Sequence, residues 1–313
     1  MNTIEANELN SLKSLVEHFN ERKARAAERL AQSVGREWNF AILGIHAEVE
    51  HFSFAPIGEF RRVSEPPGEI ELAAALKDPE LFGAIGRYSR GISHELAVNR
   101  DFGKDDQAAF NLAWWILSAL RVKSLAEFLI PAVADHSWAV IAALTERGCK
   151  AQLLEDVPQA RRVDAPVLVR QSDLEWVFEN IVAFGRMLEV PRFRLAVEAI
   201  TTHQHLVSSR MMVASLWSGI EALMGVQAEL RFRLGLFVAC LLEPRGTKRA
   251  ERYRRVKKLY DSRSRAVHGA EMSETELVGH VVETRKMLSA ILCKMIECGK
   301  VLSEEDLERE LLE

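Results

Sequence analysis

The stretch LYDSRSRAVHGAE, residues 259–271, places Arg263 five residues before His268. These two side chains suit chemistry at phosphorus. A guanidinium keeps its proton at physiological pH and can grip a phosphate through two parallel hydrogen bonds, stabilising charge on its oxygens. An imidazole titrates near neutrality and can carry protons to and from reacting oxygens, an effect worth roughly 10²–10⁴-fold. The pair also closes the most basic segment of the chain. Residues 245–265 hold ten basic side chains against two acidic ones, a local +8, so the rest of a chain with net charge −4 carries −12. A concentrated basic helix on an acidic protein is the electrostatic footprint of a polyanionic ligand. The plainer alternative is a solvated face that keeps the protein in solution.

The elements that must position this pair are legible from apolar spacing. Val213, Leu216, Ile220 and Leu223 recur at helical intervals and Gly225 marks an end. A second helix is expected over 230–243, stopped by Pro244, and a third over 248–267. A fourth opens with Ser273 as N-cap and Glu276 three residues on, then turns Leu277, Val281, Leu288, Ile291 and Met295 inward as far as Gly299. Four helices with short connections predict a bundle. On the third helix the inward stripe reads Tyr253, Val256, Tyr260, Arg263, Val267. An arginine there is costly to bury alone, so it must meet a carboxylate, face a second protein surface or line a ligand pocket. His268 falls one residue past the stripe at the helix C-terminus, where the macrodipole favours the imidazolium, and Gly269 follows as a left-handed cap. Five residues lie about 140° apart on an ideal helix. The two side chains therefore converge only if the helix end distorts or a partner copy joins in.

RSRAVHG fits the Arg-polar-x-x-x-His signature of HEPN domains. More narrowly, SLWSGIEALMG followed by LYDSRSRAVHG resembles the Apea-like HEPN branch, with its Trp-x-x-x-Glu helix ahead of an LYxxRSxxVHG helix. The likeness covers about residues 172–301. It implies a metal-independent endoribonuclease without cofactor, whose site forms where two bundles pack and each gives one Arg and one His. Arg263 and His268 would then be catalytic, with attack by the ribose 2′-hydroxyl leaving a cyclic phosphate and a 5′-hydroxyl. The family pattern sets a polar residue against the motif, which maps onto Glu221, expected to orient Arg263 or His268. A purely structural ion pair is the other reading of Glu221. Ser264 is a further candidate phosphate contact, and Arg252, Arg255, Lys258 and Arg265 would carry the RNA backbone. The implied setting is a prokaryotic defence or toxin effector acting as a homodimer. The rival is a non-catalytic RNA-binding or dimerisation scaffold on the same bundle.

The rest of the chain shows no comparable motif. A charged helix is expected over 2–31, strand-like alternation at Val49, His51, Phe52 and Phe54, a loop at Pro66, Pro67 and Gly68, and helix over 69–123. Residues 125–158 read as strand, helix over 137–147 closed by Gly148, and strand. VPQARRVDAP, residues 157–166, is the best linker. The expected organisation is an N-terminal domain over 1–170, a sensor or regulatory part, and an Apea-like HEPN domain over 171–313. The fold class is mainly α, with an α-rich N-terminal region carrying a few strands.

An apolar fraction of 48% supports a real core. Glu5 and Glu8 stand where a secretory signal needs a basic start, and the longest apolar run, 234–242, is half a membrane span. A cytoplasmic protein with no membrane partner is expected. Cys149, Cys240, Cys293 and Cys298 lack metal-ligand spacing and read as reduced, mostly core residues. His203 and His205, two apart, point to opposite faces, His46 and His51 read as surface residues, and no metal site is expected. Trp114 and Trp115 read as packing aromatics before a base-stacking platform. The acidic tail SEEDLERELLE is a solvated helix, with a weaker idea that it shields the basic helix.

Overall fold

The computed structural model describes residues 3–32, 36–157, 165–226 and 228–312. Two units result, one from residues 1–45, 50–113 and 128–156, the other from 46–49, 114–127 and 157–313. Where the sequence reading places one cut near 170, the chain passes between units several times, the last near 157. Most of the expected linker, 158–164, lies outside the described residues.

The first unit holds α1 (Thr3–Gln32), β1 (Glu37–Leu43), β3 (His51–Ser53), β4 (Gly58–Arg62), α2 (Glu69–Leu76), α3 (Pro79–Ile85), β5 (Ile92–Asn99), β6 (Ala132–Ala134) and β7 (Ala151–Leu153). Its sheet runs β3-β4-β5-β1-β6-β7, antiparallel throughout. Phe60 and Phe40 flank Leu96 across the three central strands. β5 corrects the expectation of helix over 69–123. Every residue from His94 to Val98 is buried, so this interior strand lacks the apolar-polar alternation that a half-exposed strand displays. Its Glu95, 1% exposed, survives burial by accepting from Arg61 Nε at 2.5 Å and from the Trp138 backbone N–H at 2.7 Å. The same contacts explain a second correction. Trp138 also donates Nε1–H to the Asn39 carbonyl at 3.0 Å, which holds the start of the expected 137–147 helix in a non-helical path and leaves only a 3₁₀ turn, Ile141–Leu144. α1 is fixed by arginines: Arg22 makes two 3.0 Å bonds to Glu71, and Arg25 and Arg29 share Glu65.

The second unit holds α5 (Gln171–Met187), α6 (Pro191–Thr202), α7 (Ser209–Met224), α8 (Leu230–Leu242), α9 (Thr247–Val267), α10 (Glu274–Glu297) and α11 (Glu304–Leu312). To these are added residues 114–124 of α4 (Asp106–Ser124) and a two-stranded parallel ladder, β2 (His46–Ala47) with β8 (Leu168–Val169). The ends follow local chemistry. Gly225 takes φ +68° after α7, and Ser273 accepts from the Glu276 N–H while the Glu276 side chain accepts from the Ser273 N–H. α7 packs on α10, and Val213, Leu216, Ile220 and Leu223 of the one and Val281, Leu288, Ile291 and Met295 of the other are all fully buried.

Helices α7 to α10 are not a free-standing group of four. α6 packs along α7, α5 and α6 along α10, and α11 along α8. The 114–127 segment is tied in by polar bonds: Ser289 Oγ donates to the Val122 carbonyl at 2.7 Å and Arg285 Nη2 to the Leu125 carbonyl at 2.7 Å. Among the described residues no helix is long and apolar enough to cross a membrane.

Candidate functional site

α9 carries the motif, and its buried centre is rotated from the expected stripe. Val256, Leu259 and Ala266 are buried, Tyr253, Tyr260 and Arg263 are half-buried, and Val267 is 42% exposed. The reason is threefold packing: α7, α8 and α10 all touch α9, so its apolar centre lies among the three instead of facing one. The aromatic rings fill the flanks. Tyr260 stands edge-on to Trp217 with centroids 5.5 Å apart, and Tyr253 lies against the bare face of Gly235, where an added Cβ would come within 3.2 Å of its ring.

Arg263 meets a carboxylate. Its Nη2 sits 3.0 Å from Glu221 Oε1 and 3.2 Å from Oε2, and its guanidinium carbon lies 5.7 Å from the Tyr260 ring centre. The two side chains are 20% and 22% exposed. Burial pushes the Glu221 carboxyl above its ordinary pKa, and the Arg263 charge opposes that rise. Among the described residues only Nη2 of this guanidinium has an acceptor; Nε is buried with none.

His268 is exposed and caps α9. The helix does not distort to meet it. α-Helical bonding continues through Val267 and the His268 N–H still donates to the Ser264 carbonyl at 3.0 Å. One chain therefore leaves Arg263 turned to α7 and His268 on another flank. Gly269 follows at φ +77°, which lets the Ala270 N–H close back on the Arg265 carbonyl at 3.0 Å. Arg210 of α7 completes this end, donating from Nη1 to the Ala266 carbonyl at 2.7 Å and from Nη2 to the Ala270 carbonyl at 2.6 Å. It spans the residues on both sides of His268, and nothing in the sequence around SSRMM marks it. Ser264 is half-buried beside the motif.

The basic residues fall into two groups. Arg252 pairs with Glu243 at 2.8 Å and Arg255 with Glu283. Lys258 and Arg265 are exposed and, among the described residues, have no ion-pair partner. The acidic tail packs as α11 on α8, where Glu304 and Glu308 meet Arg233, and its Leu311 carbonyl accepts from Arg245, the first residue of the basic segment, at 2.9 Å. Buried Leu307 anchors α11 beside α8.

His203 is 2% exposed, with Nδ1 at 2.9 Å from the Ile200 carbonyl and Nε2 at 3.2 Å from Glu127, and burial lowers its pKa. His51 lies 2.6 Å from Glu59, and His46 is exposed. Trp115 fills the space beside Gly185, and Trp114 is 43% exposed with the Arg121 guanidinium 5.9 Å from its ring centre. All four cysteines are free, Cys240 buried and Cys298 exposed. Among the described residues no three His, Cys, Asp or Glu side chains gather as a metal site requires.

Comparison with protein-family models, with curated proteins and with solved structures finds no match to this chain.

Proposed function

We propose that this protein is a metal-independent endoribonuclease of HEPN type that acts as a dimer, with Arg263 and His268 as its catalytic residues. The observation that carries the reading is the pairing of Arg263 with Glu221 through one terminal nitrogen, together with an exposed His268 on another flank of the same helix end, where the most basic segment of the chain closes. A guanidinium so held is oriented yet keeps donors for a phosphate, and it stabilises charge on the reacting phosphodiester. His268 takes the proton of the ribose 2′-hydroxyl as that oxygen attacks phosphorus. The P–O5′ bond breaks, leaving a 2′,3′-cyclic phosphate, and the 5′-oxygen takes up a proton. Glu221 and Ser264 support the pair, and Arg252, Arg255, Lys258 and Arg265 hold the strand. The regular end of α9 favours a shared site, in which two-fold packing supplies the convergence that one chain does not. The setting proposed is the cytoplasm of a prokaryotic cell, in defence or toxin biology.

The test is incubation with total RNA in EDTA. Cleavage should persist, 2′-O-methyl RNA and DNA should bind and survive, His268→Ala should abolish cutting with binding nearly intact, and Arg263→Ala should weaken both. Salt-sensitive binding without cutting would instead establish the non-catalytic scaffold, and loss of cutting in EDTA would assign the chemistry to a metal elsewhere.

A further inference from the structure

α9 and α10 enclose a groove of about 420 Å³ on a flank of α9 different from the one that carries Arg263. We propose that this groove is an oxyanion site that takes a phosphate group. Lys258 and Arg265 line it, seven residues and hence about 10.5 Å of helix rise apart on one face. The carboxylates around it are already engaged. Asp261 is gripped by Arg231 at 2.6 and 2.8 Å, Glu283 is paired with Arg255, and Glu276 accepts from the Ser273 N–H at 2.8 Å and its hydroxyl at 2.9 Å. The lining thus presents two cations that have no ion-pair partner among the described residues, and the hydroxyls of Ser262 and Thr275.

The independent observation is His280, which also lines the groove and is 4% exposed. The Trp217 indole N–H, a donor only, points at His280 Nε2 from 2.8 Å. Nε2 must therefore accept, and the neutral ring carries its proton on Nδ1. That Nδ1–H has no acceptor. Burial keeps the ring neutral, lowering its pKa to about 4, with Glu283 opposing and Arg255 assisting. A buried donor without a partner is costly, and its ring lines a groove whose charges outside ion pairs are two cations, Lys258 and Arg265, against one carboxylate, Glu276. A phosphate oxygen satisfies both.

The phosphate belongs either to an RNA strand or to a free phosphate-bearing small molecule, and the site does not require Arg263 and His268 to be catalytic. The test follows the Trp217 Nε1–H and His280 Nδ1–H resonances of the ¹⁵N-labelled full chain while inorganic phosphate is added at fixed ionic strength, with chloride as control. Both signals should shift saturably with phosphate alone. Lys258→Ala with Arg265→Ala should weaken the phosphate affinity at least tenfold, and both positions are exposed, so folding is undisturbed. A 2′-O-methyl RNA oligonucleotide forms the second arm. Saturation by RNA at lower concentration than phosphate assigns the site to the strand; saturation by phosphate only assigns it to a small molecule. Absence of a saturable phosphate shift, or equal affinity in the double variant, overturns the inference. A protein that binds phosphate here yet cuts no RNA keeps this site while losing the nuclease reading.

Discussion

Two of the arginine–glutamate pairs of the second unit, Arg285 with Glu127 and Arg263 with Glu221, differ in completeness. Arg285 and Glu127 are 4% and 7% exposed, Arg285 uses Nη1 on Glu127 at 2.8 Å and Nη2 on the Leu125 carbonyl, and His203 approaches the same carboxylate. Arg263 and Glu221 are about a fifth exposed, and Arg263 uses only Nη2. Nε lacks an acceptor in both, so the difference lies at the terminal nitrogens. The lesson is one of saturation. A pair whose donors are consumed by the protein holds segments together, here residues 125–127 to α10, whereas a pair with a donor in reserve and a route to solvent can still meet a ligand.

The largest effect is expected where saturation is most complete. Glu127→Ala should cost about 3–5 kcal/mol in urea unfolding, because it strands a buried guanidinium. Glu221→Gln, which keeps an oxygen for Arg263 at a half-buried pair, should cost about 1–2 kcal/mol and reduce the proposed RNA cleavage on the order of tenfold. Equal destabilisation by the two variants would erase the distinction.

His280 gives the next effect. Its folded pKa of about 4 lies below the ordinary 6.5, so as pH falls from 6.5 the unfolded chain takes up a proton that the folded chain refuses. Stability from this residue is complete above pH 6.5 and is lost toward pH 4, about 2 kcal/mol of it between 6.5 and 5. His203 is lowered in the same direction, so the readout is a difference: His280→Gln, which can still accept from Trp217 and does not titrate, should flatten the slope of unfolding free energy against pH by that amount. An unchanged slope would mean that His280 is already protonated in the folded protein.

The most local effect belongs to Arg210. Arg210→Ala removes two charge-assisted bonds, to the carbonyls of buried Ala266 and half-buried Ala270, so a loss of about 1–2 kcal/mol is expected, confined to the end of α9. Hydrogen exchange at His268 to Ala270 should quicken while Val281 and Leu288 of α10 stay protected. Equal quickening in both places would make Arg210 a general prop instead of a local clamp on His268.

The helical periods of α7 and α10 and their end signals at Gly225 and Ser273 were plain in the sequence, since a repeat of three to four residues with a cap is a local property. β5 was not, because burial on both faces removes alternation, and the 137–147 segment was not, because a contact from Asn39, about a hundred residues away, decides its path. The α9 stripe was legible only to within a rotation. Its apolar positions fix a face, and three neighbours then choose which part of that face is deepest.

At the candidate site the division is sharper. Sequence alone determined that Arg263 and His268 end one basic helix about 140° apart, because helix geometry and charge are carried by the residues themselves. Only the tertiary structure decided that Glu221 receives Arg263, that Arg210 clamps the turn holding His268, and that His280 keeps an unanswered N–H beside Lys258 and Arg265. Those outcomes depend on the directions in which α7 and α10 approach α9, and helix crossing is set by the packing of whole faces, which no local spacing encodes.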